Sequence, residues 1–146
     1  MTMTPDEAAG LPVTAFAFPG PLRDQLNAAI LDGSKTSTTS LVLEYRLADE
    51  PFPEPGRRSV VIDSAGEPIA VIETTEVRFA RVGAVDLEHA VAEGEGYTSV
   101  AEWRAGHEDF WHGDAMRENV GDPEFTVDDD TEAVLERFRV VALIAG

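Results

Sequence analysis

The chain has no cysteine in its 146 residues. That excludes a disulfide framework, a thiolate metal site and a cysteine nucleophile, and it fits a reducing compartment. Lysine is nearly missing too. Of eleven basic side chains, only Lys35 is a lysine. Basic charge as a whole is scarce, because those eleven face 28 Asp and Glu, for a formal net charge of −17. A field of that sign repels polyanions, and non-specific nucleic-acid binding needs clustered Lys and Arg. Only Arg57 and Arg58 adjoin. Long duplex DNA is therefore not an expected partner, and any nucleic-acid ligand has to be small or held in a shielded pocket. No apolar run approaches the roughly 20 residues of a membrane span. The first ten residues lack the basic start and apolar stretch of a secretory signal, so a cytoplasmic location is expected.

What is present suits a soluble globular domain. The length is a usual single-domain size, and 43% of residues are hydrophobic. Residues 1–12 read as a flexible leader and 13–146 as one domain. Pro21 to Asp32 has Leu22, Leu26, Ala29 and Ile30 at helical spacing, with Gly33 placed as a left-handed cap. Thr38–Leu47, Arg58–Asp63, Ile69–Ala80 and Ala133–Ile144 read as strands. Asp86 caps a short helix to about Glu93. Ser99 and Glu102 form a Ser-x-x-Glu start for a helix to about residue 112, and 113–131 reads as an irregular acidic loop. Short turns between strands predict an α+β fold whose five or six strands form a small mixed or antiparallel barrel with flanking helices.

Lys35 is the first candidate for chemistry. Arginine is effectively always charged, whereas a desolvated lysine can act as a base. Lys35 also follows a helix C-terminus, where any cation is favoured, so a purely structural role stands beside the functional one. Gly33-Ser34-Lys35-Thr36 is not a P-loop. No glycine directly precedes the lysine, and the order is helix-loop-strand. His89, His107 and His112 give no metal-ligand spacing, and Asp128-Asp129-Asp130 lacks the order of a calcium loop. No metal and no cofactor are expected. In Gly94-Glu95-Gly96 a carboxylate lies between two residues that allow close backbone approach. Trp103, Phe110 and Trp111 read mainly as core, with one ring available for a pocket wall.

Taken in order, several segments resemble the ASCH domain family, which has a PUA-like barrel. They are the helix ending at Gly33 followed by Lys35-Thr36-Ser37-Thr38-Thr39-Ser40, the strand Ile69–Val77, Ala92-Glu93-Gly94-Glu95-Gly96, the helix with Trp103-Arg104, and Glu136-Arg137-Phe138-Arg139-Val140-Val141. The resemblance covers about residues 16–142 and is to the bacterial stand-alone branch. It implies a module binding RNA or a small nucleoside-type ligand in a cleft near the Gly-x-Lys-x-x-Thr loop. Some small bacterial members are amidohydrolases that remove the acetyl group from N4-acetylcytidine. Their lysine, threonine and acidic-loop glutamate fall by position on Lys35, Thr38 and Glu95. This chain is longer and more acidic than those hydrolases, and differs in 39–55.

That chemistry needs a nucleophile, a base and oxyanion donors. Thr38 would supply the hydroxyl, Lys35 the base and Glu95 a proton shuttle. Ser37, Thr39 and backbone N–H groups would hold the oxyanion. Tyr45 or Trp103 would stack on a base, a contact worth about 1–3 kcal/mol. Three functions fit: a binding module for RNA or a modified nucleoside, an amide hydrolase, and an acidic interaction or regulatory domain.

Overall fold

The computed structural model describes residues 1–145. Its elements in chain order are β1 (Thr2–Met3), α1 (Pro5–Ala8), β2 (Val13–Thr14), α2 (Pro21–Asp32), β3 (Ser37–Leu41), α3 (Val42–Ala48), β4 (Arg58–Ile62) and β5 (Pro68–Arg81). A 3-10 turn (Val82–Ala84), α4 (Leu87–Ala92), α5 (Val100–Trp111), α6 (Asp114–Val120) and β6 (Glu132–Ile144) follow. The strands form a mixed sheet in the order β1-β6-β5-β4-β2, with β3 also paired to β6. β1 runs parallel to β6 and β2 parallel to β4, while β4 and β5 are antiparallel with Val60 opposite Val71. The expected α+β class with six strands and flanking helices is what is seen, but among the described residues the sheet does not close into a barrel. Its end strands β1 and β2 are two residues long and offer few backbone groups for a further pairing. No helix is long and apolar enough to cross a membrane.

The residues gather into two compact units. The first holds 1–36, 53–77 and Glu136 onward; the second holds 37–52 and 78–135.

In the first unit α2 starts on Pro21 and ends on Gly33, whose φ of 87° is the left-handed cap expected there. Leu26 and Ile30 bury its inner face against Phe16, Val61, Ile72 and Phe138. The buried Arg23 donates from its guanidinium to the carbonyls of Phe16, Ala17 and Asp63. Residues 2–8, within the stretch expected as a leader, form β1 and α1. Thr4-Pro5-Asp6-Glu7 makes a capping box, and Ala8 packs with Val60, Val71 and Ala142.

The second unit departs from the sequence reading in two places. The strand expected over 38–47 stops at Leu41 and turns into α3. Glu44 causes this locally, since its carboxylate accepts the Leu41 N–H at 2.8 Å and satisfies an otherwise free helix donor. The stretch expected to be irregular contains α6, anchored by the buried Met116 and closed by Gly121 at φ 82°. The other expected starts are present. Asp86 accepts from His89 N–H, and Ser99 accepts from Glu102 N–H.

Candidate functional site

The second unit builds a polar cluster around one buried carboxylate, Glu93, which is 1% exposed. Glu93 is the residue that ends α4, four positions after His89 and so on the same helical face. Its Oε2 accepts the Thr39 hydroxyl at 3.1 Å and the Trp103 indole N–H. His107 Nε2 lies 3.3 Å from that oxygen, and His89 Nε2 3.9 Å. The Thr39 proton goes to Glu93, so its oxygen accepts from His89 Nε2–H at 2.8 Å. Ser37, two residues earlier on the same face of β3, donates to the His89 carbonyl at 3.0 Å.

His107 is the second centre. Trp103, His107 and Trp111 recur every four residues along α5, which stacks them on one face. The imidazole lies over Trp103 at 4.4 Å between centroids and 26° between planes, with Trp111 at 5.3 Å and Tyr97 at 6.0 Å. Its Nδ1 donates to the Trp103 carbonyl at 2.9 Å, which turns Nε2 toward Glu93. Burial opposes ionisation of this ring. The hydrogen bond and charge of Glu93, the charge of Glu95 and the Trp103 carbonyl outweigh it, and the pKa is raised. Tyr97 is pushed up to about 12 by burial and by the charges of Glu95, Glu93 and Asp109.

The turn between α4 and α5 brings in Glu95. Gly94 and Gly96 take φ of 71° and 85°, a left-handed conformation that costs other residues energy. The half-buried Glu95 then meets Glu93 and His107, with one ligand atom from each within 4.8 Å of the others. Gly106 matters for a different reason. A Cβ there would overlap the Tyr97 hydroxyl.

The residues expected to form the site are placed as follows. Ser37, Thr39, Glu95 and Trp103 all belong to this cluster. Thr38 is half-buried on the opposite face of β3 from Thr39. Tyr45 packs on Phe52 at 5.3 Å, and Phe52 on Phe79 at 5.1 Å. Lys35 belongs to the first unit and is 2% exposed. Its N–H bonds the Ala29 carbonyl at 3.0 Å and its ammonium stands 5.8 Å from the Phe16 ring centroid, within cation–π reach. Lys35 and Thr36, with Ile30, Gly33 and Phe138, line a depression of about 250 Å³.

The sequence reading weighed His89 and His107 only as metal ligands and set them aside, and it gave Glu93 no role. The usable signals were the i, i+4 pair His89/Glu93 and the four-residue period of Trp103, His107 and Trp111. The third histidine has a structural role, with His112 Nε2 accepting Val127 N–H at 2.9 Å. The acidic run is also occupied. Asp129 pairs with Arg104 and Asp130 with Arg81, while Asp128 accepts from Asp130 N–H. Glu73 and Glu76 bind Arg58, Arg139 and Arg137.

The sequence pattern of the ASCH domain matches residues 14–142, and the chain belongs to the ASCH domain family. Among solved structures it is similar to the ASCH domain from Lactobacillus crispatus JV V101. Identity is 30% and the TM-score 0.72, over 89% of this chain and 80% of that one. A protein from Enterococcus faecalis V583 aligns at 26% identity and a TM-score of 0.76, over 90% and 77%. The Zymomonas mobilis ASCH structure shares the fold at 13% identity and a TM-score of 0.54, over 90% and 68%. None of the curated proteins matches the chain.

Proposed function

We propose that this ASCH domain binds a compact nucleoside-type ligand at the cluster around Glu93, a modified cytidine being the class best supported. The observation that carries the reading is the convergence of Thr39, Trp103, His107 and Glu95 around Glu93. A nucleobase offers a flat apolar face and an edge of N–H donors. The half-buried Tyr97 and His107 rings suit the face, and the Glu95 carboxylate suits the edge. Charge favours a nucleoside over a polyanion. Two carboxyl groups lie together here, in a chain of net charge −17, and both repel phosphate.

The hydrolytic alternative assigns base, nucleophile and proton shuttle to Lys35, Thr38 and Glu95. Thr38 lies on the face of β3 opposite Thr39 and so turns away from the Glu93 cluster, which favours the binding module.

The test is incubation with N4-acetylcytidine, with acetate release followed beside Lys35→Ala and Thr38→Ala, and with cytidine, N4-acetylcytidine and short single-stranded RNA titrated in parallel. Saturable nucleoside binding is the expected result, and turnover lost in both variants would establish the hydrolytic alternative instead. Turnover that persists in Lys35→Ala removes Lys35 from the chemistry. RNA binding that falls steeply with salt, without nucleoside binding, replaces the ligand class. Failure of every ligand to bind overturns the reading.

A further inference from the structure

We propose that Tyr45, Phe52 and Phe79 form a docking patch for a basic peptide segment of a partner protein, with an arginine side chain laid on Phe79. All three residues belong to the second unit. Phe52 packs on Tyr45 at 5.3 Å between centroids and edge-on against Phe79 at 5.1 Å. The rings therefore make one continuous surface. Tyr45 and Phe52 are half-buried, and Phe79 is 59% exposed. A single exposed apolar side chain is ordinary, whereas joined rings left in water mark an interaction surface.

Phe79 is also out of keeping with its strand. β5 buries Ala70, Val71 and Ile72, then surfaces toward its end, where Thr75, Glu76 and Arg81 are exposed. A smaller β-branched residue would serve the strand as well at the Phe79 position. The ring adds exposed apolar area that the core does not use.

Charge selects the partner. The turn between Tyr45 and Phe52 carries Asp49 and Glu50, both exposed. It is held to the patch, because the Glu50 N–H bonds the Tyr45 carbonyl at 3.0 Å. Arg46, also exposed, offsets one of these two carboxylates. The arginines flanking Phe79 add no free positive charge, since Arg78 pairs with Asp86 at 3.1 Å and Arg81 with Asp130 at 3.3 Å. The chain as a whole stands at −17. A polyanion is repelled by that field, and so is a second copy of the same chain, while a basic segment is drawn in. A cation over an aromatic face is attracted by the ring quadrupole. Guanidinium suits the face better than ammonium, because it is planar and more weakly hydrated.

The patch shares no residue with the group around Glu93, so peptide docking and nucleoside binding fail separately. The experiment titrates the whole chain by calorimetry, at physiological salt, with a short peptide of alternating arginine and glycine. A lysine–glycine peptide of equal charge is run beside it. Saturable binding is expected, tighter for the arginine peptide. Phe79→Thr, which keeps the strand preference, should weaken it at least about fivefold, and the double variant Asp49→Asn/Glu50→Gln should weaken it as well. Glu124→Gln, an exposed carboxylate in the loop after α6, should leave it unchanged. Circular dichroism confirms that the variants are folded. No peptide binding, or equal affinity in the parent and Phe79→Thr, overturns the proposal, the second result meaning attraction by net charge alone. It is also overturned by single-stranded RNA that binds the parent and not Phe79→Thr, or by a dimer in sedimentation that Phe79→Thr dissociates.

Discussion

His107 Nε2 and Glu93 Oε2 face one another across 3.3 Å, with side chains only 12% and 2% exposed. Removing one partner of such a pair leaves the other charge buried. Glu93→Gln is therefore expected to cost about 3 kcal/mol, read as a fall in the urea midpoint. Glu95→Gln, whose side chain is half-buried at the edge of the group, should change stability by less than about 0.5 kcal/mol. Equal losses in the two variants would mean that Glu93 is not the structural centre.

Gly106 and Tyr97 make a packing test. Alanine normally stabilises a helix interior by about 1 kcal/mol over glycine. Here its Cβ would overlap the Tyr97 hydroxyl and meet the adjoining ring carbon at 2.9 Å, and overpacking costs about 1–3 kcal/mol. Gly106→Ala should lower the Tm. Adding Tyr97→Phe should return more than half of the loss, the non-additivity expected of neighbours. A Tm that rises in Gly106→Ala contradicts the contact.

Glu44 sets a pH dependence. Burial raises its pKa above the ordinary 4.5, against the lowering effect of the Leu41 N–H bond. A carboxyl with a raised folded pKa binds its proton more readily in the folded state. Its contribution is fully present below the unfolded value and is lost as pH rises through the folded one. Glu44→Gln keeps an acceptor for Leu41 and carries no charge. The variant should have a higher Tm than the parent at pH 7 and the same Tm near pH 4. Thermal melts across that range check it, and a benefit largest at pH 4 would contradict the sign.

Much of the fold was legible because the periodic signals were long. α2 ended on its glycine, α5 began on Ser99, and β5 and β6 lie close to their expected bounds. The misses have local causes. Val42 looked like more strand until Glu44 capped the chain into α3, and α6 hid in an acidic stretch with few apolar residues. The Thr-Pro-Asp-Glu start of α1 was readable and went unread. In the site, Glu95 and Trp103 stood out by their neighbours. Glu93 did not, because an acid at a helix end normally meets water. Its burial comes from tertiary contacts with Thr39, Trp103 and His107, which no spacing along one segment displays.

The central claim is that a ligand docks at the Glu93–His107 cluster, and the two tryptophans of the chain make it directly testable. Trp103 donates its indole N–H to Glu93, so that proton's NMR resonance reports on the cluster. Titration with cytidine and N4-acetylcytidine should shift the Trp103 indole signal saturably, with the same midpoint seen by calorimetry. Binding detected by calorimetry while the Trp103 indole signal stays still would place the ligand elsewhere and contradict the account.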